Sequence, residues 1–145
     1  MSHFTKEFDK QVQAIITEAY IFPAFKEGEL PPLKFYTENA AWDTGAERTV
    51  ISPHVAEALE LKSLGKVPLM GVGGDKEADV YKVAIALPDA KIYRDYFVYG
   101  IDIDNYEMLI GMDIISNSDF VITNADGHTV LSFRNPSKEH IKLED

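Results

Sequence analysis

The chain has 145 residues, no cysteine and a formal net charge of −10, from 24 acidic and 14 basic side chains. The absence of cysteine excludes disulfides, thiol catalysis and cysteine-ligated zinc, and the acidic balance argues against a nucleic-acid partner because phosphate binding depends on lysine and arginine. Residues 1–8 lack the basic start and apolar run of a signal peptide, and no stretch reaches the ~18 apolar residues of a membrane span. We therefore expect a cytoplasmic protein with no membrane partner.

The N-terminal residues fit two patterns. In a helix, one face would carry an apolar stripe that consists of Phe4, Phe8, Val12, Ile15 and Ala19. Residues 12–16 and 15–21 also show the alternation of polar and apolar residues that is typical of strands, with a possible turn at Asp9-Lys10. Periodicity alone does not decide between them. The isoleucine, threonine and tyrosine content favours strands, so we predict a hairpin here.

Two elements follow a proline-containing connection at residues 27–32. Residues 33–43 are predicted to form a strand. Ser52-Pro53 then predicts a helix start, because serine caps the helix and proline at its first position has no amide that needs a partner. This short helix is expected over residues 54–61, before Gly65.

The rest of the chain predicts further strands separated by glycine-containing turns. Strands are expected at 67–71 and 78–87 around a hairpin tip, at 93–100, and at 120–122 and 129–131 around a turn at 124–127, with a helical turn at 113–116. Many short strands with one or two short helices predict an all-β fold, a small closed barrel. We expect one domain over residues 1–145, with its core at about 12–134 and a frayed polar tail at 135–145.

The triplet that most strongly indicates a catalytic function is Asp43-Thr44-Gly45, whose aspartate ends the predicted strand 33–43. Hydrolysis of an amide without a metal or covalent nucleophile needs one carboxylate to activate water and a second, protonated carboxyl to donate a proton. Two such groups about 3 Å apart share one proton. The sequence contains this triplet once. Asp126-Gly127 is not a second copy, because it has no hydroxyl residue between the aspartate and the glycine. The second carboxyl must therefore come from Asp43 of another copy, which predicts a homodimer.

Residues 43–51, Asp-Thr-Gly-Ala-Glu-Arg-Thr-Val-Ile, resemble the active-site loop of retropepsins, the single-domain, dimeric aspartic peptidases, in their bacterial or prophage-type form. Two later segments fall in the family's order: Met70-Gly71-Val72-Gly73-Gly74 resembles the flap tip, and residues 109–115 resemble the second signature around Gly111. The resemblance implies a closed retropepsin-like acid-protease barrel. It also implies that Asp43 is catalytic, that Thr44 braces the two loops across the dimer axis, and that Gly45 aligns the substrate. Substrate contacts would come from Ala46, Glu47, Gly71, Val72, Gly73 and Gly74.

The sequence departs from the retroviral pattern at three places. Glu47 and Met112 occupy positions where retroviral enzymes carry a bracing Asp–Arg pair, so that ion pair cannot form. Trp42 replaces a small aliphatic residue and, because strand neighbours point to opposite faces, we expect it in the core behind Asp43. The tail is polar where retroviral chains end in an apolar strand that interleaves in the dimer.

Several other residues have simpler structural explanations. Gly111 is expected to allow close packing behind the active-site loop, and Asp113 to act as a helix-start carboxylate rather than a third acid. The acidic cluster around residues 102–107 lacks the pattern of a calcium loop, and the four histidines show no ligand spacing, so no metal or other cofactor is expected.

We therefore predict an aspartic endopeptidase that acts on peptide or protein substrates as a homodimer. The alternative is a retropepsin-like module that binds peptides or supports assembly with weak or no turnover. Self-processing of a larger polyprotein is a less favoured third option. A dimer with its two Asp43 side chains together under a cleft distinguishes the peptidase from the module.

Overall fold

A computed structural model describes residues 2–69 and 76–144. The described residues form ten strands, two short α-helices and one 3₁₀ turn. The strands are β1 (Ser2–Glu7), β2 (Ile16–Pro23), β3 (Phe35–Trp42), β4 (Val50–Ile51), β5 (Lys66–Leu69), β6 (Lys76–Ala86), β7 (Ile92–Gly100), β8 (Met108–Ile110), β9 (Asp119–Thr123) and β10 (Val130–Asn135). The helices are α1 (Pro53–Ala58) and α2 (Met112–Ile115), and the 3₁₀ turn is Ala125–Gly127.

Six strands close into a barrel, as expected from the sequence. Their order is β2-β3-β8-β4-β7-β6, and pairing of the end of β6 with β2 closes the ring. The first residues of β6 pair with β5. Alternate residues of these strands point inward and build the core with α1 and α2. The largest fully buried side chains of the barrel and its helices, with that of Leu59 directly after α1, are Ile21, Ile51, Leu59, Ile85, Met108, Ile110 and Ile114.

A separate antiparallel sheet, β1-β10-β9, packs beside the barrel and is called the small sheet below. Phe4, Phe120 and Phe133 come from its three strands and lie opposite one another in register. All three rings contact the indole of Trp42, at centroid distances of 4.9 to 6.1 Å. The prediction that Trp42 packs in the core is confirmed, since its side chain is 7% exposed.

The predicted N-terminal hairpin is wrong, although strands rather than a helix form there. β1 pairs with β10, with Ser2 opposite Asn135, whereas β2 pairs with β3 and β6. Residues 8–15 separate the two strands and continue along the start of β10, where the Phe8 amide donates to the Thr129 carbonyl. The two strands therefore belong to different sheets, and β1 extends the packed structure to the start of the described chain.

Other local predictions are confirmed. Ser52 caps α1 by accepting the amide of Val55, and Pro53 occupies the first turn, although the helix ends at Ala58 rather than at residue 61. β9 and β10 form the predicted C-terminal hairpin. β5 and β6 pair antiparallel with Leu69 opposite Lys76, and the predicted flap tip between them lies outside the described residues. No helix of the described chain is long and apolar enough to cross a membrane.

The first residues of the tail after β10 are anchored by hydrogen bonds, although residues 136–144 form neither helix nor strand. The Asp119 carboxylate accepts hydrogen bonds from the Ser137 hydroxyl, the Lys138 amide and the Arg134 guanidinium, the last at 2.6 Å. These donors, the Ser137 hydroxyl first, hold the pKa of Asp119 far below its usual range. The carboxylate therefore stabilises the folded chain as long as it is ionised.

Substitution Asp119→Asn should lower the urea midpoint at pH 7, measured by fluorescence of the single tryptophan. Because the folded pKa lies below the unfolded value of about 3.9, this contribution is complete above about pH 4 and is lost as the pH falls through the folded pKa. The difference from the parent should therefore shrink below about pH 4. Asp126→Asn, at an exposed turn, is the matched control and should change little. A difference that stays constant in acid would contradict this role.

Candidate active site

Asp43 lies at the end of β3, where that strand runs parallel to β8. The pairing of Trp42 with Ile110 is followed by a hydrogen bond of 2.8 Å from the Asp43 amide to the Ile110 carbonyl. The preceding indole is fixed because its Nε1 donates to the Thr17 hydroxyl at 2.9 Å. Since adjacent strand residues point to opposite faces, this anchoring directs the Asp43 side chain away from the core. Asp43 is half-buried.

The turn after Asp43 orients its carboxylate. The Gly45 amide donates to Asp43 Oδ1 at 2.8 Å, and the Ala46 amide donates to the Asp43 carbonyl at 3.1 Å. A Cβ on Gly45 would lie 3.1 Å from the same Oδ1, so glycine gives the carboxylate the room it needs. Thr44 and Gly45 are exposed at the tip of this turn.

Gly111 packs directly behind the loop, as expected from the sequence. A Cβ at this position would lie 2.8 Å from the Ala46 carbonyl oxygen and 2.9 Å from the carbonyl carbon of Arg48. The next amide, that of Met112, donates to the Ala46 carbonyl at 2.7 Å, and the Asp113 amide donates to the Glu47 carbonyl at 3.2 Å. The start of α2 and the Asp43 loop are therefore joined backbone to backbone.

Thr49 and Asp113 form a second connection between the same two segments. The Thr49 hydroxyl donates to Asp113 Oδ1 at 2.8 Å and accepts the Gly111 amide at 3.1 Å, and the Thr49 amide donates to Asp113 Oδ2 at 2.9 Å. Thr49 is fully buried. Asp113 is therefore more than the helix-start carboxylate predicted from the sequence, because it also joins α2 to the Asp43 loop.

Arg48 adds a positive charge to this brace. Its Nη1 lies 3.9 Å from Asp113 Oδ2, and its guanidinium lies 6.0 Å from the ring centre of Tyr99. Burial, together with the nearby Asp113 carboxylate, raises the pKa of Tyr96 to about 12, so this neighbouring phenol stays neutral. The loop is thus braced by Arg48 and Asp113, although Glu47 and Met112 cannot form the retroviral pair.

A cleft of about 690 Å³ opens beside the loop. Gly45, Ala46 and Glu47 lie on one wall, and the end of β5, which precedes the predicted flap tip, lies on another. The remaining lining residues were not predicted from the sequence. Arg48 and Val50 follow Glu47 in the same segment, whereas Pro68, Leu69, Tyr99 and Ile101 come from parts of the chain that are distant in the sequence. Asp43 and Thr44 are not among the lining residues, and Gly71, Val72, Gly73 and Gly74 lie outside the described residues.

A family model described as aspartyl protease matches residues 37–114, from within β3 to α2, and so includes Asp43 and Gly111. Among solved structures, the chain is similar to the crystal structure of a retropepsin-like aspartic protease from Rickettsia conorii, with a TM-score of 0.51 and 16% identity. The match covers 92% of this chain and 96% of that chain. No curated protein matches the sequence.

Proposed function

Because the chain belongs to the aspartyl protease family, we propose that it is an aspartic endopeptidase that acts as a homodimer. The observation that carries the proposal is the Asp43 loop, which is oriented by Gly45, braced from behind by Gly111 and Thr49, and exposed at its tip. Each chain supplies one such loop. Two loops meeting across a two-fold axis give the pair of carboxyls that amide hydrolysis requires.

In the dimer the two Asp43 carboxyls hold one water molecule and share one proton. The ionised carboxylate takes a proton from the water, which attacks the peptide carbonyl, while the protonated carboxyl donates to the carbonyl oxygen. The first carboxyl then gives its proton to the peptide nitrogen as the C–N bond breaks, and the second takes a proton from one of the two hydroxyls, which leaves a carboxylic acid, an amine and the original shared proton. Thr44 of each subunit braces the opposite loop. The hydrogen bond from Gly45 holds each carboxylate in place before substrate arrives, which lowers the cost of reorganisation during the reaction.

The substrate is an extended segment of a peptide or protein. It occupies the cleft between the residues 45–48 and the end of β5, with Ala46 and Glu47 beside its side chains. Backbone groups of Gly45 and of the flap tip, at Gly71, Val72, Gly73 and Gly74, pair with it as a neighbouring strand would. No metal or cofactor takes part.

Cleavage of an unfolded protein substrate tests the proposal. We expect activity that is highest in acid and falls as the pH rises, because the shared proton is required. A pepstatin-type inhibitor should abolish the activity, and the rate per chain should rise with enzyme concentration until the dimer is saturated. Inhibitor binding by a dimer without any cleavage would favour the peptide-binding module instead. A rate per chain that is independent of concentration in a monomer would contradict the proposal.

A further inference from the structure

Four aromatic side chains form a ladder on the outside of the barrel. Tyr36 on β3 lies directly opposite Tyr20 on β2, and their ring centres are 5.0 Å apart. Phe22 follows at 6.3 Å from Tyr20, and Phe25, just after β2, follows at 5.8 Å from Phe22. The four rings therefore form one continuous surface, which is called the aromatic ladder below.

The aromatic ladder is open to solvent at its Tyr36 end. Tyr20 is 38% exposed and Tyr36 is 42% exposed, and Glu18 and Glu38 beside them are exposed as well. The solvent-facing side of an antiparallel pair of strands normally carries polar residues. Single exposed rings are common on protein surfaces, but a contiguous apolar patch marks a surface that binds a partner.

Two carboxylates lie at this open end. The Tyr36 hydroxyl lies 3.1 Å from Glu18 Oε2 and 3.2 Å from Glu38 Oε1. Partial burial, and then these carboxylates, raise the pKa of Tyr36 to about 12, so the phenol stays neutral. Its single hydrogen can serve only one carboxylate at a time. Within residues 2–69 and 76–144, no lysine, arginine or histidine forms an ion pair with either carboxylate, so both can interact with an external cation.

The rings and the carboxylates together favour a basic ligand. The face of an aromatic ring attracts a cation within about 6 Å of the ring centre. Two cations of the chain itself already use the ladder in this way: Lys34 Nζ lies 5.9 Å from the ring centre of Tyr20, and the Arg94 guanidinium lies 4.6 Å from that of Phe25. Because Arg94 packs on the far end, exposed ring area and negative charge occur together at the Tyr36 end.

We propose that the open end of the aromatic ladder docks a basic segment of another protein. A lysine or arginine side chain of that segment lies against the rings of Tyr20 and Tyr36, with its charge beside the carboxylates of Glu18 and Glu38. Apolar groups of the same segment pack on Phe22. Charge identifies the occupant: the net charge of −10 attracts a basic partner over long range, whereas a second copy of this acidic chain would be repelled.

The docking site is separate from the cleft. Within the part of the chain that the structure describes, no residue of the aromatic ladder lines the cleft. Tyr36 precedes Asp43 by seven residues, which corresponds to roughly 20 Å along a strand. The basic segment can therefore bind whether or not the cleft holds a peptide, and the inference does not depend on the proposed function.

Binding of a synthetic peptide to the full chain, at neutral pH and about 0.15 M salt, tests the docking site. The probe is acetyl-Gly-Arg-Gly-Arg-Gly-Arg-amide. Its reference is the same peptide with citrulline, an uncharged analogue of similar shape, in place of each arginine. We expect the arginine peptide to bind at least about fivefold more tightly and to shift the NMR signals of the Tyr20 and Tyr36 rings. Equal Kd values, or shifts confined to other rings, would overturn the proposal.

A pepstatin-type inhibitor separates the docking site from the cleft. We expect the Kd of the arginine peptide to be the same with saturating inhibitor as without it. Competition between the peptide and the inhibitor would assign the binding to the cleft and overturn the docking site. Failure of the inhibitor itself to bind would contradict the proposed function and leave the result for the docking site unchanged.

Paired charge substitutions show whether the peptide binds at the ladder or only follows the net charge. Glu18→Gln with Glu38→Gln removes the two carboxylates and keeps the rings. Glu57→Gln with Asp126→Asn makes the same change in net charge at exposed positions on α1 and in the 3₁₀ turn. We expect the first pair to raise the Kd of the arginine peptide at least about fivefold and the second less than about twofold. Equal effects of the two pairs would contradict the proposal.

A ring substitution gives an independent test. Tyr20→Leu keeps an apolar side chain but removes the central ring of the open end, and we expect it to raise the Kd of the arginine peptide at least about threefold. Phe97→Leu is the control, because Phe97 is a 46% exposed ring on β7 with Lys82 Nζ 5.7 Å from its centre. Urea denaturation checks that both variants fold. Altered self-association of Tyr20→Leu with an unchanged Kd for the peptide would assign the ladder to a second copy and overturn the proposal.

Discussion

Substitution Asp43→Asn should abolish peptide cleavage while leaving the fold intact. An asparagine keeps the side-chain oxygen that accepts the Gly45 amide, so the turn retains its hydrogen bond. It removes the ionisable group, and loss of general acid–base catalysis costs a factor of about 100 to 10,000 in kcat. The measurement is the rate of cleavage at the acidic optimum, with circular dichroism and sizing as checks on folding and assembly.

Asp126→Asn is the control for this experiment. Asp126 directly precedes Gly127 and lies exposed in the 3₁₀ turn between β9 and β10. Asparagine tolerates its left-handed backbone, with φ of 58°, so the fold should be unaffected. We expect full activity in this variant. Cleavage at the parental rate by Asp43→Asn would show that Asp43 does not carry the chemistry.

Substitution Gly111→Ala should reduce both stability and activity. The added methyl would meet backbone atoms of Ala46 and Arg48 at 2.8 to 3.0 Å, and backbone atoms cannot rotate away as a side chain can. Overpacking of this kind lowers the free energy of unfolding by about 1 to 3 kcal/mol. Because the displaced segment carries Asp43, and misplacement by about 1 Å can cost about 100-fold in rate, activity should also fall.

Gly28→Ala provides the matched comparison. Gly28 lies in the exposed connection after β2, with φ of 88° and no heavy atom within 4 Å of an added Cβ. Alanine there costs only backbone strain, roughly 1 to 2 kcal/mol, and should leave kcat unchanged. Urea denaturation and cleavage rates of the two variants separate loop displacement from simple loss of stability. Parental kcat in Gly111→Ala would mean that the contact behind the loop does not position Asp43.

Local chemistry in the sequence predicted much of the fold. The serine cap and proline at the start of α1, the hairpin of β9 and β10, and the burial of Trp42 all depend on residues close in the chain or on the two-residue period of a strand. The closed barrel followed from many short strands and from the resemblance to retropepsins. These features can be predicted without knowing which distant segments of the chain contact each other.

The parts that were missed depend on distant contacts. β1 pairs with β10, so Ser2 lies opposite Asn135, and no local pattern distinguishes that pairing from a hairpin with β2. The Asp113 carboxylate accepts a hydrogen bond from Thr49, which lies 64 residues earlier in the chain. Because Asp113 lies at the start of α2, the sequence predicted only a helix-start carboxylate there. The lining of the cleft combines the Asp43 loop with Pro68 and Tyr99, which only the closed barrel brings together.

In the proposed mechanism each chain contributes one carboxyl, so activity requires two chains. Mixing the parent with an equal amount of Asp43→Asn, after dissociation and reassociation, tests it most directly. If chains assort randomly and mixed dimers have a single carboxyl, about one quarter of the dimers are active, so the rate should fall to about one quarter of that of the same total amount of parent. A rate of about one half would show that each chain works alone, and would contradict the account.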